Sequence, residues 1–157
     1  MRSSSSSAPD ASFASFLTRS LELLARELPW VYTLLCAALS PREVSIEVDG
    51  EISAVFCSTT SLRVTQRPEA PVVECRTSRA AIVDLIDARL TLVQAVVEDR
   101  VWLRGDVDEL LAFHDGLMIF LGGAVRSPSF PGLLREFRLF SARKPGVAPI
   151  DTAQERL

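Results

Sequence analysis

His114 and Asp115 form the one conspicuous polar pair inside an otherwise apolar segment, and acid–base chemistry would have to be placed there. An imidazole moves a proton near neutral pH, and a neighbouring carboxylate can orient it. Adjacent residues on a helix point about 100° apart, so the two side chains are not expected to face each other. The competing reading is structural, with His114 satisfying a backbone or carboxylate group at a helix edge. The other chemically capable residues are few. Cys36, Cys57 and Cys75 are odd in number, lack metal-ligand spacing and lie on apolar segments, as buried reduced thiols do. Asp84 and Asp87, three residues apart, read as solvated surface. Arg100 and Arg104 flank Trp102, as in a surface strand with an arginine stacked on the ring, or in a rim for an anionic head group. No HExxH, paired CxxC, P-loop or GxSxG occurs. No catalytic residue is therefore assigned, no metal or other cofactor is expected, and an enzyme of this sequence would rest on His114 with Asp115 or Asp106.

Composition narrows the classes. The chain has 157 residues, 48% of them hydrophobic, a net charge of −3 and a single lysine, Lys144, among 17 basic residues. That is one domain with material for a real core and no electrostatic attraction to nucleic acid. No apolar run is long enough to span a bilayer, so membrane contact is expected to be transient at most. The serine-rich start carries no secretory pattern, and with the unpaired cysteines this places the protein in the cytoplasm. Residues 1–10 and 143–157 read as mobile tails around a domain at 11–142.

The elements that would position these residues follow from periodicity. Apolar residues at helical spacing predict a helix from Ala11 to Leu28, and Pro29 opens a second from Trp30 to Leu39. The period then changes to two. Val44, Ile46 and Val48 alternate with polar residues, and Asp49-Gly50 predicts a tight hairpin into Glu51–Ser58. Strands at Leu62–Gln66 and Val72–Arg76 complete an antiparallel meander, with Pro68 and Pro71 bounding the last turn. Thr77 or Ser78 caps a helix to Asp87, Thr91 caps one to Glu98, and Val101–Arg104 is a short strand broken by Gly105. Asp106 caps a long helix from Val107 that Gly122-Gly123 ends near Leu121. A loop, Arg126 to Pro131, leads to a last helix, Gly132 to Phe140. This order predicts an α+β domain with helices on one face of a largely antiparallel sheet.

The C-terminal third carries more apolar surface than one helix flat on a sheet needs. Leu110, Phe113, Leu117, Phe120 and Leu121 recur around the long helix, and Phe130, Leu133, Leu134 and Phe137 follow. Extra core, a homodimer interface and the wall of a cavity all account for it. Because Leu133, Leu134 and Phe137 form one stripe after a Pro-bracketed loop, the last helix is also a candidate lid.

The segment Thr77 to Gly123 resembles the sterol carrier protein type two family. The resemblance lies in a capped helix ending at DARL, with Ala88 where the family often has glycine, then LVQAVVEDRVWLRGD and a long apolar helix. The hairpin VSIEVDGEISAVF fits the early strands, so the likeness runs from about Val44 to Phe140. It implies an approximately five-stranded sheet covered by helices with an apolar tunnel between. It also implies binding of a hydrophobic small molecule such as a sterol, fatty acyl chain or polyketide-like lipid, without a cofactor. By position it brings Gln94, Val97 and Leu103 to the tunnel, together with the long helix and the residues after it, His114 included. Ala95→Trp would then fill the tunnel. The segments FHDGL and AVRSPSF depart from the animal members and leave open a bacterial subgroup with another ligand. Cyclisation or isomerisation of a biosynthetic intermediate in the same pocket is the alternative.

Overall fold

A computed structural model describes residues 12–143, with side chains to residue 139. The tails expected at 1–10 and 143–157 lie outside the described residues, Arg143 apart. Six helices and five strands follow in the order α1 (Phe13–Glu27), α2 (Pro29–Leu39), β1 (Glu43–Val48), β2 (Glu51–Cys57), β3 (Leu62–Thr65), β4 (Val73–Thr77), α3 (Arg79–Ile86), α4 (Leu92–Val97), β5 (Trp102–Gly105), α5 (Val107–Arg126) and α6 (Phe130–Arg143). The α+β class and the five-stranded, mostly antiparallel sheet are as the sequence implies.

Local chemistry explains most boundaries. Ser12, Ser78 and Thr91 each accept a backbone N–H of the first helical turn, and Gln94 completes a capping box with Thr91. Asp49 and Gly50 both take positive φ, 50° and 87°, the backbone twist that a two-residue hairpin demands. Glu51 then reaches across to the start of α1, where its carboxylate accepts from Phe13 N at 2.9 Å. Ala88 also has positive φ, 58°. An L-residue with a Cβ is strained there by roughly 1–2 kcal/mol. Ala88→Gly is expected to stabilise the fold by about 1 kcal/mol once the greater freedom of unfolded glycine is subtracted. Urea titration checks this, and an unchanged or lowered midpoint would show that the turn carries no strain.

Three features differ from expectation. The meander stops at β3. The sheet order is β3-β2-β1-β4-β5, with β4 parallel to β1 and β5 antiparallel to β4. The crossing segment is held by Glu43, whose buried carboxylate accepts from Glu69 N at 2.6 Å and Ala70 N at 2.8 Å. Glu43→Ala leaves those donors without their charged partner, and a loss of about 2–3 kcal/mol is expected in chemical denaturation. A loss below half a kcal/mol would mean that the crossing does not depend on the clamp.

Second, α5 does not end at Gly122-Gly123 but runs on to Arg126. Gly123 stays helical because its missing side chain makes room for a neighbour. A Cβ there would lie 2.8 Å from Val31 Cγ1 and 2.9 Å from Leu24 Cδ2. Asp106 occupies the cap position of α5, but its side chain makes no capping hydrogen bond. Third, α6 begins at Phe130, with Pro131 in its first turn, where a missing N–H costs nothing. Ser127 and Ser129 turn the corner between α5 and α6, and Glu27 at the end of α1 clasps both.

No single helix among the described residues is long and apolar enough to cross a membrane. Helices cover one face of the sheet, and the inward side chains of the strands include Leu62 and Val64, Val55 and Cys57, Val44, Ile46 and Val48, Val73, Cys75 and Thr77, and Leu103.

Candidate functional site

Between that face and the helices lies a cavity of about 160 Å³. Its floor is laid by alternate residues of four strands, among them Leu62, Cys57, Val55, Val44, Ile46 and Cys75. Its roof comes from α1 through Phe16, Leu17 and Leu21, from α2 through Leu35 and Leu39, and from α5 through Phe113, Leu117, Phe120 and Leu121. Ile82, Leu85 and Ile86 of α3 line it as well, and Leu92 and Val101 add to the wall beside Cys75. Two glycines let the roof helices come close. Gly116 of α5 lines the cavity where α2 packs against it through Leu39.

The wall is hydrocarbon almost throughout. Among the described lining residues Thr77 has the one hydroxyl, and that hydroxyl donates to the Arg100 carbonyl at 3.0 Å. Two thiols face the cavity, Cys57 and Cys75, and burial pushes both up to about 12 from an ordinary value near 9.0. They remain neutral at physiological pH and act as small apolar groups. The linkage sign follows from the raised values: stability is complete below pH 9 and falls as pH rises from there through 12, where the unfolded chain releases thiol protons that the folded chain retains. Thermal unfolding between pH 8 and 11 should show this decline, and Cys57→Ala with Cys75→Ala should flatten it. A slope unchanged by the double substitution would assign the loss elsewhere.

The residues singled out from the sequence divide into three groups. Phe113, Leu117, Phe120 and Leu121 line the cavity. Phe130, Leu133, Leu134 and Phe137 are buried in an adjoining core cluster with Phe13 and Phe16, behind the cavity end. The Phe137 ring stacks on Phe16 at 4.2 Å between centroids, an arrangement worth about 1 kcal/mol beyond its burial. The remaining residues are away from the cavity. Gln94 is exposed at its capping box, Val97 is 76% exposed, and Leu103 packs behind the wall against Cys75 and Val101. Leu110 is half-buried near Gly105.

The polar candidates are on the outside. The His114 and Asp115 side chains are 47% and 74% exposed, and Nδ1 and Oδ1 approach to 3.7 Å, beyond a hydrogen bond. Asp84 and Asp87 are not merely solvated. Asp84 pairs with Arg100 at 2.7 Å, and Asp87 pairs with Arg89 and with Arg138 of α6, so α6 is tied to the end of α3. The arginine over Trp102 is Arg76, its cross-strand partner on β4, at 4.6 Å from the ring centroid. Ala95 is fully buried among Leu90, Val101 and Cys75, outside the lining, so Ala95→Trp would overpack that core and would not occupy the cavity. No group of three metal-binding side chains occurs among the described residues.

No family model matches the sequence, and no curated protein matches it. Solved structures do match. The ubiquinone synthesis protein UbiJ-SCP2 is 13% identical, with 66% of this chain and 90% of that one covered at a TM-score of 0.51. Sterol carrier protein domain 2 of Helicoverpa armigera is 17% identical, with 68% and 89% covered at 0.51. Sterol carrier protein 2 of Yarrowia lipolytica is 8% identical, with 71% and 94% covered at 0.51. The chain has the fold of the sterol carrier protein type two domains. At these identities the likeness is one of architecture, and it takes in nearly the whole of each matched domain. Within the sterol carrier fold the cavity of this chain is defined by its own side chains. Those missed from the sequence, chiefly on α1, α2 and the strands, sit on the inward positions of amphipathic elements. The alternation Val44, Ile46 against Ser45, Glu47 was the signal for the floor. Nothing local distinguishes an inward residue that meets a partner from one that meets space.

Proposed function

We propose that the protein binds one hydrophobic small molecule in the cavity between sheet and helices, as a carrier or holder and without chemical change. The observation that carries this reading is an almost wholly apolar cavity within a sterol carrier fold. Core packing normally fills such volume, and an apolar void left open costs roughly 24 cal/mol per Å³. A ligand that fills it regains those contacts. Pockets for small molecules are apolar concavities of this kind, with few polar groups.

The cyclase or isomerase reading gains no observation in its favour. The imidazole assigned to proton transfer faces outward, and the described lining offers only neutral thiols and one hydroxyl already engaged. The test is direct. A fluorescent fatty acid should bind saturably at one site per chain with micromolar or tighter affinity, and extraction of freshly purified protein should release a hydrophobic compound in mass spectrometry. No saturable binding of any acyl, sterol or polyketide-like probe sinks the proposal.

A further inference from the structure

Two helices turn apolar side chains to solvent. Helix α2 contains no charged residue, and its outer face presents Trp30 and Leu34, 53% and 49% exposed. On α5 the outward residues include Leu111, His114, Met118, Gly122 and Val125. Leu111, Met118 and Val125 are 58%, 41% and 80% exposed. The two helices run antiparallel, because Gly116 meets Leu39 and Gly123 meets Val31. Trp30 therefore lies beside the C-terminal end of the α5 stripe, where Arg126 stands 5.7 Å from its ring centroid. Together these five apolar side chains expose on the order of 500 Å², at the upper end of what a monomer carries as one patch. A stable dimer buries roughly 800 Å² a side, part of it a polar rim.

The α5 stripe is symmetric. From Leu111 to Val125 its steps are three, four, four and three residues, the same in both directions about Met118. Steps of three and four make the seam of a helix–helix contact. A two-fold axis sets such a patch on its own copy, residue i on j and j on i. An axis at Met118 brings Leu111 onto Val125 of the second copy, and His114 onto Gly122 of the second copy, a ring against a residue without a side chain. Nothing among the described residues accounts for Gly122. It is exposed in mid-helix, where glycine lowers helix propensity, and a Cβ there would meet no atom within 4 Å. Arg126 falls opposite residue 110, two residues from Asp108 of the second copy, and both are exposed. The ends of the seam thus carry opposite charges.

We infer that the chain pairs with a second copy of itself through α5, antiparallel about Met118, with the uncharged face of α2 beside the seam. The pairing is independent of any ligand, since the stripe lies outside the cavity lining. It uses α5 and not α6, whose Phe130, Leu133, Leu134 and Phe137 are buried in the core of one chain. A bilayer is the poorer occupant of this face. Asp108 and Asp115 border the stripe, and an anionic lipid surface repels them.

Sedimentation velocity of the full chain at tens of micromolar should show a dimer, and a monomer at every concentration up to a millimolar overturns the inference. Met118→Asp sets two carboxylates at the axis and should weaken the dimer at least thirtyfold. Gly122→Leu should weaken it at least tenfold while the dilute, monomeric chain melts no lower than before, because the new side chain has room in one copy and none in two. A dimer that either folded variant leaves unchanged lies on another face and overturns the assignment. Cross-linking under mild oxidation reads the register, since Leu111 and Val125 of one chain are ~21 Å apart along α5. The native cysteines are buried and do not compete. Leu111→Cys and Val125→Cys chains, mixed, should give the mixed disulfide dimer, and neither alone should cross-link. Self-pairing of each in place of the mixed product overturns the antiparallel register. Binding of a monomeric chain to vesicles of phosphatidylcholine and phosphatidylglycerol, abolished by Met118→Asp, would give the face to a membrane and overturn the pairing.

Discussion

Ile46→Phe should reduce fatty-acid affinity at least a hundredfold while leaving the protein as stable as before or slightly more so. Ile46 lies mid-floor on β1, half-buried, in contact with the aromatic cluster on one side and the Cys75 cluster on the other. A phenyl ring placed there projects into a volume that one ring nearly fills. In a packed core, the added carbons would cost about 1–3 kcal/mol in strain. Here they meet space, and filling an apolar void returns dispersion contacts. The two readouts must therefore diverge. Lost binding with a lowered melting temperature would indicate ordinary overpacking. Retained binding would mean that the ligand does not use the cavity.

The second large effect is expected at Gly116. A Cβ there would lie 2.5 Å from Leu39 Cδ2 and 2.7 Å from Leu39 Cγ, so α2 and α5 must separate or Leu39 must turn into the cavity. Alanine gains about 1 kcal/mol in helix propensity over glycine. The clash outweighs that gain, because Cγ is a branch point held by its own helix, and a net loss of about 2 kcal/mol is expected. The decisive measurement is a double-mutant cycle. In a Leu39→Ala background the same substitution should become neutral or stabilising, since the obstructing atoms are gone while the propensity term stays. Additive losses would show that Gly116 is needed for something other than room for Leu39.

Most of the architecture was legible because most of it is set locally. Caps at Ser78 and Thr91, the Asp49-Gly50 turn and the period-two strands each act within a few residues. The partner of β4 was not, because Pro68 and Pro71 mark a turn without saying whether the chain returns beside β3 or passes on to β1. The clamp that holds the crossing comes from Glu43, 26 residues before Glu69. Gly122-Gly123 misled for a related reason. A glycine that lets neighbouring side chains in reads like one that stops a helix until Val31 and Leu24 are placed. The lining of the cavity was legible only in part. The apolar excess of α5 does line the cavity, whereas that of α6 is consumed by the rings of α1, and only tertiary packing tells those outcomes apart.

The parallel pairing of β1 with β4 also divides the cavity floor into two separately built halves. One is the β1-β2-β3 meander, and the other is β4 with α3, α4 and β5. Within the meander neighbouring strands are near in sequence, whereas the join brings Val44 beside Val73, and β5 reaches β4, only after a comparable stretch of chain has closed. Such joins form late and at entropic cost. The cavity lies across this seam, with Val44 and Ile46 on one side and Cys75 and Thr77 on the other. A ligand lying in it touches both halves and acts as a splint. Occupancy then raises the free energy needed to part the two halves, so the loaded carrier and the empty one differ in how readily the middle of their sheet comes apart.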